Sequence, residues 1–194
     1  MPFIKIVDPE DATGAAKDLY ESTRSFAAQQ GYDAYTNLAK IWSPAAECAQ
    51  VWARSLGVAG AATKLSAVER EIITCRLTYL LKSRYVLCSH AFFLHKMTGW
   101  SLEQIEGIVW RPQESDLDMR LKQILRFSEK AVRESHAITQ GDIDALRGEG
   151  LSEEQIVGLV FYVGALANNS IFPNALGAEL DAFSQPFAPL ADWA

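Results

Sequence analysis

The sequence is short of the residues that bind metals, form disulfides or attract polyanions. Only three of its 194 residues are cysteine and three are histidine. Cys48, Cys75 and Cys88 are odd in number and show no C-x-x-C spacing, which argues against a disulfide framework and fits a reducing cytoplasm. Acidic residues outnumber basic ones, 24 to 18, and the net charge is −6. The basic residues are scattered rather than gathered into a stripe, so neither nucleic acid nor an anionic membrane is an expected partner. The opening MPFIKIVDPEDATG lacks the basic and apolar segments of a signal peptide. The most apolar run, IVGLVFYVGALA, is too short to span a bilayer and reads as a buried core helix. Valine-rich alternation punctuated by turns is missing too; FIKIV near the start is the one candidate strand.

What is present is helical. The 49% hydrophobic content gives one domain over residues 1–194 ample material for a core. Seven prolines mark segment ends. Ala15, Leu19 and Phe26 form a rough apolar stripe. Ser43-Pro44 reads as a cap and first residue of a helix to about Gly57. Ser66-x-x-Glu69 is a capping box before EIITCRLTYLL. Further helices are expected over about 115–134 and from Thr139 to about Arg147. The expectation is an all-α protein of about eight to ten helices. G-W-S-L-E-Q-I-E-G-I-V (99–109) echoes G-L-S-E-E-Q-I-V-G-L-V (150–160). That is either a common Gly-stop and Ser-start or a two-unit pseudo-repeat.

The chemistry concentrates in SRYVLCSHAFFLHKMTGW, residues 83–100. His90 and His95 are five apart, about 140° around a helix, so they share no face and no metal site is expected. Cys88 and His90 are two apart and point to nearly opposite sides, which prevents a local thiolate–imidazole pair. Cys75 shares a face with Glu71, whose charge would raise the thiol pKa. Glu71 lies among apolar residues and needs a partner, since an unpaired buried charge is costly. His90 stands on the next helix, with Leu94 and Met97 on its face. A tight connection near Lys82–Arg84 would bring the two together, either as an acid–base site or as a structural pair.

The run SAVEREIITCRLTYLLKSRYVLCSH (66–90) resembles the core motif of the carboxymuconolactone decarboxylase and alkylhydroperoxidase D superfamily. That motif has a Glu in an R-E-I/L-x-x-L-R-x-A type helix, then Cys-x-Tyr-Cys-x-x-x-His. The Glu falls on Glu71, the Tyr on Tyr85 and the His on His90; the cysteine positions hold Ser83 and Val86. The segments DATGAAKDLYESTRSFAAQQGYDAYTNLAKIWSP, DLDMRLKQILRFSEKAV and ITQGDIDALRGEGLSEEQIVGLVFYVGALANNSIFPNALGAELD resemble the peroxidase-related branch. The resemblance implies an alkylhydroperoxidase D-like helical domain with its core motif at 66–99, and a homo-oligomer between dimer and hexamer.

Peroxidases of this type use both cysteines, which this chain lacks. The decarboxylase branch has no such cysteines and needs neither metal nor organic cofactor. By that resemblance His90 transfers protons, Glu71 orients it, and Tyr85 and Ser83 supply hydroxyl donors. The substrate would be a small carboxylated or lactone-like metabolite. Two alternatives stand beside it: a thiol peroxidase through Cys88, with Cys75 or an external thiol, and a non-catalytic ligand-binding oligomer. Elsewhere, His136 reads as a helix-end cation and His95 as half-exposed, with a second proton shuttle as its alternative role. Asn168-Asn169 reads as a cap or kink interrupting an apolar helix, with a pocket role as the alternative. Trp42 and Trp52 read as core or subunit contacts. The tail from about 184 to 194 reads as an arm over a groove, on this or another subunit, with disorder as the alternative.

Overall fold

Capping chemistry sets most of the boundaries. In a computed structural model that describes residues 2–29 and 31–193, nine α-helices form among those residues. They are α1 (Gly14–Gln29), α2 (Asn37–Trp42), α3 (Ala46–Thr63), α4 (Ala67–Leu80), α5 (Arg84–Thr98), α6 (Leu102–Trp110), α7 (Met119–Glu134), α8 (Gln140–Gly148) and α9 (Glu153–Leu176). Short 3-10 segments join some of them, and one closes the chain at Ala182–Leu190. The expected all-α class holds. Ser66 and Glu69 form the reciprocal capping box that starts α4, while at the start of α8 both the backbone N–H and the hydroxyl of Thr139 donate to Asp142 Oδ2. Asp118 caps α7.

The echoed segments use one device twice. Gly99 and Gly150 take left-handed φ of 73° and 84°, and Ser101 and Ser152 then form capping boxes with Gln104 and Gln155. Past the caps they diverge. Val109 is fully buried, whereas its counterpart Val160 is 48% exposed.

Three expectations need correction. FIKIV forms no strand: Val7 gives its N–H to Ser43 Oγ and its carbonyl accepts from the Tyr20 hydroxyl, so side chains meet its backbone groups. That use of Ser43, which also donates to Lys40 O, removes it as the cap of α3. Ser43–Ala45 is a 3-10 turn, and α3 continues past Gly57 to stop where Lys64 turns left-handed at φ 53°. Helix α9 is not interrupted by Asn168-Asn169 but runs through them and Pro173 for 24 residues. By length and composition it could cross a membrane, which the shorter run IVGLVFYVGALA did not suggest; more than half of that stretch is buried within the fold.

Two packed layers position the site. Helix α3 lies along α9, and α4 lies along α5. The first contact is close because residue 158 is glycine: a Cβ there would stand 2.7 Å from Ala62 Cβ. In the second layer Arg76 of α4 reaches Glu129 of α7 with two bonds of 2.8 and 3.0 Å, and donates to Val109 O of α6 at 2.7 Å. The C-terminal segment lies on α5 of its own chain. Phe187 is buried there, and Trp193 meets Tyr79 edge-on at 5.0 Å.

Candidate functional site

Two turns of α5 carry the site. Tyr85, Val86, Ser89, His90 and Phe93 recur at three- and four-residue intervals, which places them on one helical face. That face forms one wall of a cavity of about 210 Å³. Ser22, Thr23, Phe26 and Ala27 of α1 line it, as do Thr36, Leu38, Asn169 of α9, and Phe183. Three phenylalanines stand among these lining residues. Phe93 meets Phe26 at 5.3 Å and Phe183 at 5.9 Å, and stands edge-on to the His90 ring at 5.7 Å.

The connection between α4 and α5 is tight because Lys82 adopts a left-handed φ of 54°. The two helices then pack together, and Glu71 of α4 meets His90 of α5 at 2.6 Å, Oε2 to Nδ1. Both side chains are mostly but not wholly buried, 17% and 23% exposed. A carboxylate on Nδ1 fixes the tautomer and ring orientation, which leaves Nε2 as the nitrogen free to exchange a proton with a ligand. Glu71 and His90 are therefore brought together as expected.

The other expected site residues fare differently. Tyr85 reaches the cavity wall, but its hydroxyl donates to Asp181 Oδ2 at 2.5 Å and accepts from Leu38 N at 3.2 Å. Burial, then the charge of Asp181, push the phenol well above its ordinary pKa. Asp181 also accepts from Asn37 N at 2.9 Å, and burial raises its carboxyl pKa. Tyr85 is thus committed to a strut between α5, α2 and the C-terminal segment rather than free to serve a substrate. Ser83 is fully buried at the start of α5 and does not line the cavity; its hydroxyl has no hydrogen-bond partner. Cys88 is also fully buried and off the cavity, with Sγ against Phe187 O at 3.4 Å. Burial pushes its thiol up to about 11. Cys75 is buried beside it, raised well above the ordinary thiol value first by burial and then by Glu71, and no disulfide joins the two.

Sequence reasoning did not single out Ser89, Phe93, Phe183 or Asp181. The spacing from Val86 to Phe93 carried a signal for Ser89 and Phe93. Nothing local marks Asp181, which meets Tyr85 across 96 positions of chain. Asn169 was read chiefly as a cap or kink. It is instead a buried cavity residue, while Asn168 is exposed. His95 gives a ring nitrogen to Trp100 O at 2.7 Å and lies against Phe187, and His136 is exposed beyond α7. Trp42 stacks on Phe172 at 3.8 Å and, more distantly, on Trp52.

Most polar groups of the cavity are already used. Ser22 and Thr23 donate to Leu19 O, and Thr36 caps α2. The exceptions are His90 Nε2 and Asn169 Oδ1, the latter buried with no hydrogen-bond partner; the equally buried Ser89 hydroxyl lies against Tyr85 and pulls its phenol pKa back down in part. Neither Lys nor Arg lines the cavity. Among the described residues no three His, Cys, Asp or Glu side chains converge as a metal site.

No protein-family model and no curated protein matches the chain. Solved structures do. A peroxidase-related protein from Ralstonia eutropha JMP134, described as an alkylhydroperoxidase AhpD core, superposes with a TM-score of 0.81 at 15% identity over 96% of both chains. A peroxidase-related protein from Silicibacter sp. TM1040 gives 0.70 at 19% identity over 88% of both. The debrominase Bmp8 gives 0.74 at 12% identity over 97% of both, and a cysteine-to-alanine variant of it has been solved with 2,3,4-tribromopyrrole. At these identities the likeness is one of fold: the chain has the alkylhydroperoxidase D architecture.

Proposed function

We propose that this chain is a member of the alkylhydroperoxidase D-like superfamily that lacks the thiol pair and acts as a cofactor-free acid–base enzyme on a small, neutral, lactone-like ring. The observation that carries the reading is the Glu71–His90 hydrogen bond of 2.6 Å at the wall of an aromatic cavity. In the proposed step Nε2 of His90 takes an acidic C–H proton next to the ring carbonyl. The electron pair of that bond moves onto the carbonyl oxygen. The imidazolium, held by Glu71, then returns the proton to the far carbon of a neighbouring ring C=C, as the electron pair moves back from the oxygen and the double bond shifts. Bmp8 adds support of a limited kind, since a protein of this fold holds a small ring. A carboxylated substrate finds no lysine or arginine in the cavity lining. The thiol alternative has little physical support, because Cys88 is buried, protonated and away from the cavity.

Solvent-deuterium exchange into neutral and carboxylated lactones, followed by NMR, tests the reading. The wild type is expected to exchange the neutral ones. His90→Gln should fall about 10²–10⁴-fold and Glu71→Gln less. Equal exchange by wild type and His90→Gln refutes the reading. Hydroperoxide consumption with a dithiol that disappears in Cys88→Ala favours the thiol alternative instead.

The same proposal includes self-association. Val58, Val157, Val160 and Phe161 are exposed on adjoining faces of α3 and α9, and Phe161 joins two surface hollows there, one of which also takes in Val51. A second copy of this chain is the proposed occupant, in a reducing cytoplasm that keeps the free thiols unpaired. Sedimentation of wild type beside Phe161→Glu checks this: an oligomer that the charge splits is expected, and a monomeric wild type defeats it.

A further inference from the structure

We infer that Phe26 is the gate of the cavity: its ring moves between a closed position against Phe93 and an open one in solvent, and so sets how fast, and how large, a neutral ring reaches His90. The inference rests on the cavity being the substrate site, but it concerns entry rather than proton transfer.

Exposure locates the entrance. Among the described residues that line the cavity, Ser22 and Phe26 are exposed and all others are buried or half-buried. The two stand four apart on α1, so they share one face. Phe26 is 50% exposed and yet lines the cavity, which makes the wall one side chain thick at this point. Helix α1 packs on α2 and α3 but not closely on α5. The Phe26 and Phe93 rings bridge that gap at 5.3 Å. The backbone behind Phe26 is held in place. Tyr20 is buried and donates to Val7 O at 2.7 Å, and the carbonyl of the buried Ala27 accepts from Tyr32 N at 2.9 Å. The moving part is therefore the side chain and not the helix.

The other two phenylalanines are pinned where Phe26 is not. Phe183 lies against Phe92 at 4.9 Å, Tyr32 at 5.2 Å and Phe93 at 5.9 Å. Phe93 is held by Phe92 and by the edge of His90 as well. Among the described residues, Phe93 is the one ring that Phe26 meets. On a helix, χ1 near +60° drives a long side chain into the preceding turn, which leaves two wells. One is the closed position seen against Phe93, and the other carries the ring away from it. A single aromatic pair favours the closed well by roughly three- to tenfold, so the ring opens without unfolding anything. The closed gate also limits size. At about 210 Å³ the cavity is somewhat larger than the ~150 Å³ apolar cavity known to admit benzene, so it holds one ring with a few substituents. Two fused rings fit only with Phe26 displaced.

Fluorine NMR exchange measurements with fluorobenzene and fluoronaphthalene test this without reference to turnover. The wild type should bind fluorobenzene and leave fluoronaphthalene measurably unbound. Phe26→Ala should raise the fluorobenzene on-rate at least about fivefold and admit fluoronaphthalene. Phe26→Leu should fall between the two, and Phe26→Trp should slow entry several-fold. The on-rate is decisive, because loss of a mere wall contact speeds release alone. Phe183→Ala supplies that contrast: faster release with an unchanged on-rate is expected. Three results overturn the inference: no fluorobenzene binding by the wild type, an on-rate unchanged in Phe26→Ala, or an equal rise in Phe183→Ala. A wild type that admits fluorobenzene past Phe26 but exchanges no lactone proton removes the acid–base reading and leaves this one standing. Lactone exchange alongside an unchanged on-rate in Phe26→Ala does the reverse.

Discussion

Helix α5 has two faces, and they differ in what their polar atoms do. On one face Leu87, Cys88, Ala91 and Leu94 are fully buried in the main core, and the Cys88 thiol is committed to a backbone carbonyl. On the other, Val86, Ser89, His90 and Phe93 border a cavity in which His90 is oriented by Glu71. Cys88 and His90 are two positions apart, yet one belongs to each face. The more reactive element in isolation, sulfur, sits where burial makes it inert. The imidazole sits where a ligand can reach it. Function in this fold thus follows the face, and proximity in sequence is misleading.

Truncations on the dry face break the comparison most sharply. Leu87→Ala should cost about 2–5 kcal/mol in urea unfolding, because the fully buried side chain leaves a void. At temperatures where the variant is folded, its lactone proton exchange should match the wild type. Cys88→Ala should cost less, about 1 kcal/mol, and leave lactone proton exchange intact. Loss of exchange in a folded Cys88→Ala protein would place chemistry on both faces and end the distinction.

The helices were legible where local chemistry decides them. The capping box at Ser66 and the helix start at Thr139 announce themselves locally, and the structure keeps both. Glu71 with His90 was legible because each looked incomplete alone and a tight turn separates their helices. What failed depended on distant partners. Ser43 resembles a helix cap in sequence, but Val7 claims its hydroxyl from 36 positions away. Tyr85 matched a site motif, yet its hydroxyl donates to Asp181 at the far end of the chain. Asn169 looked like a helix breaker because its neighbours are apolar. Its environment is a cavity that only the packing of α1, α5, α9 and the C-terminal segment creates.

The Tyr85–Asp181 strut marks where the cavity face ends, and pH sharpens that boundary. Burial is the largest influence on Asp181 and raises its pKa, while the bonds from Tyr85 and Asn37 and the charge of Lys40 pull it back only in part. A carboxyl whose folded pKa lies above its unfolded value favours the folded state fully below the unfolded value. That contribution is lost as pH rises through the folded value. The wild type should therefore lose stability relative to Asp181→Asn as pH climbs from about 4 toward neutrality. Carboxylates with depressed pKa, such as Asp142 and Glu69, give the opposite slope, but they are common to both proteins and cancel in the difference. Urea unfolding of the pair across this range reads the difference directly. Parallel curves would mean that Asp181 carries no net titration on folding. The strut would then be an ordinary hydrogen bond, and Tyr85 would regain a claim to the cavity.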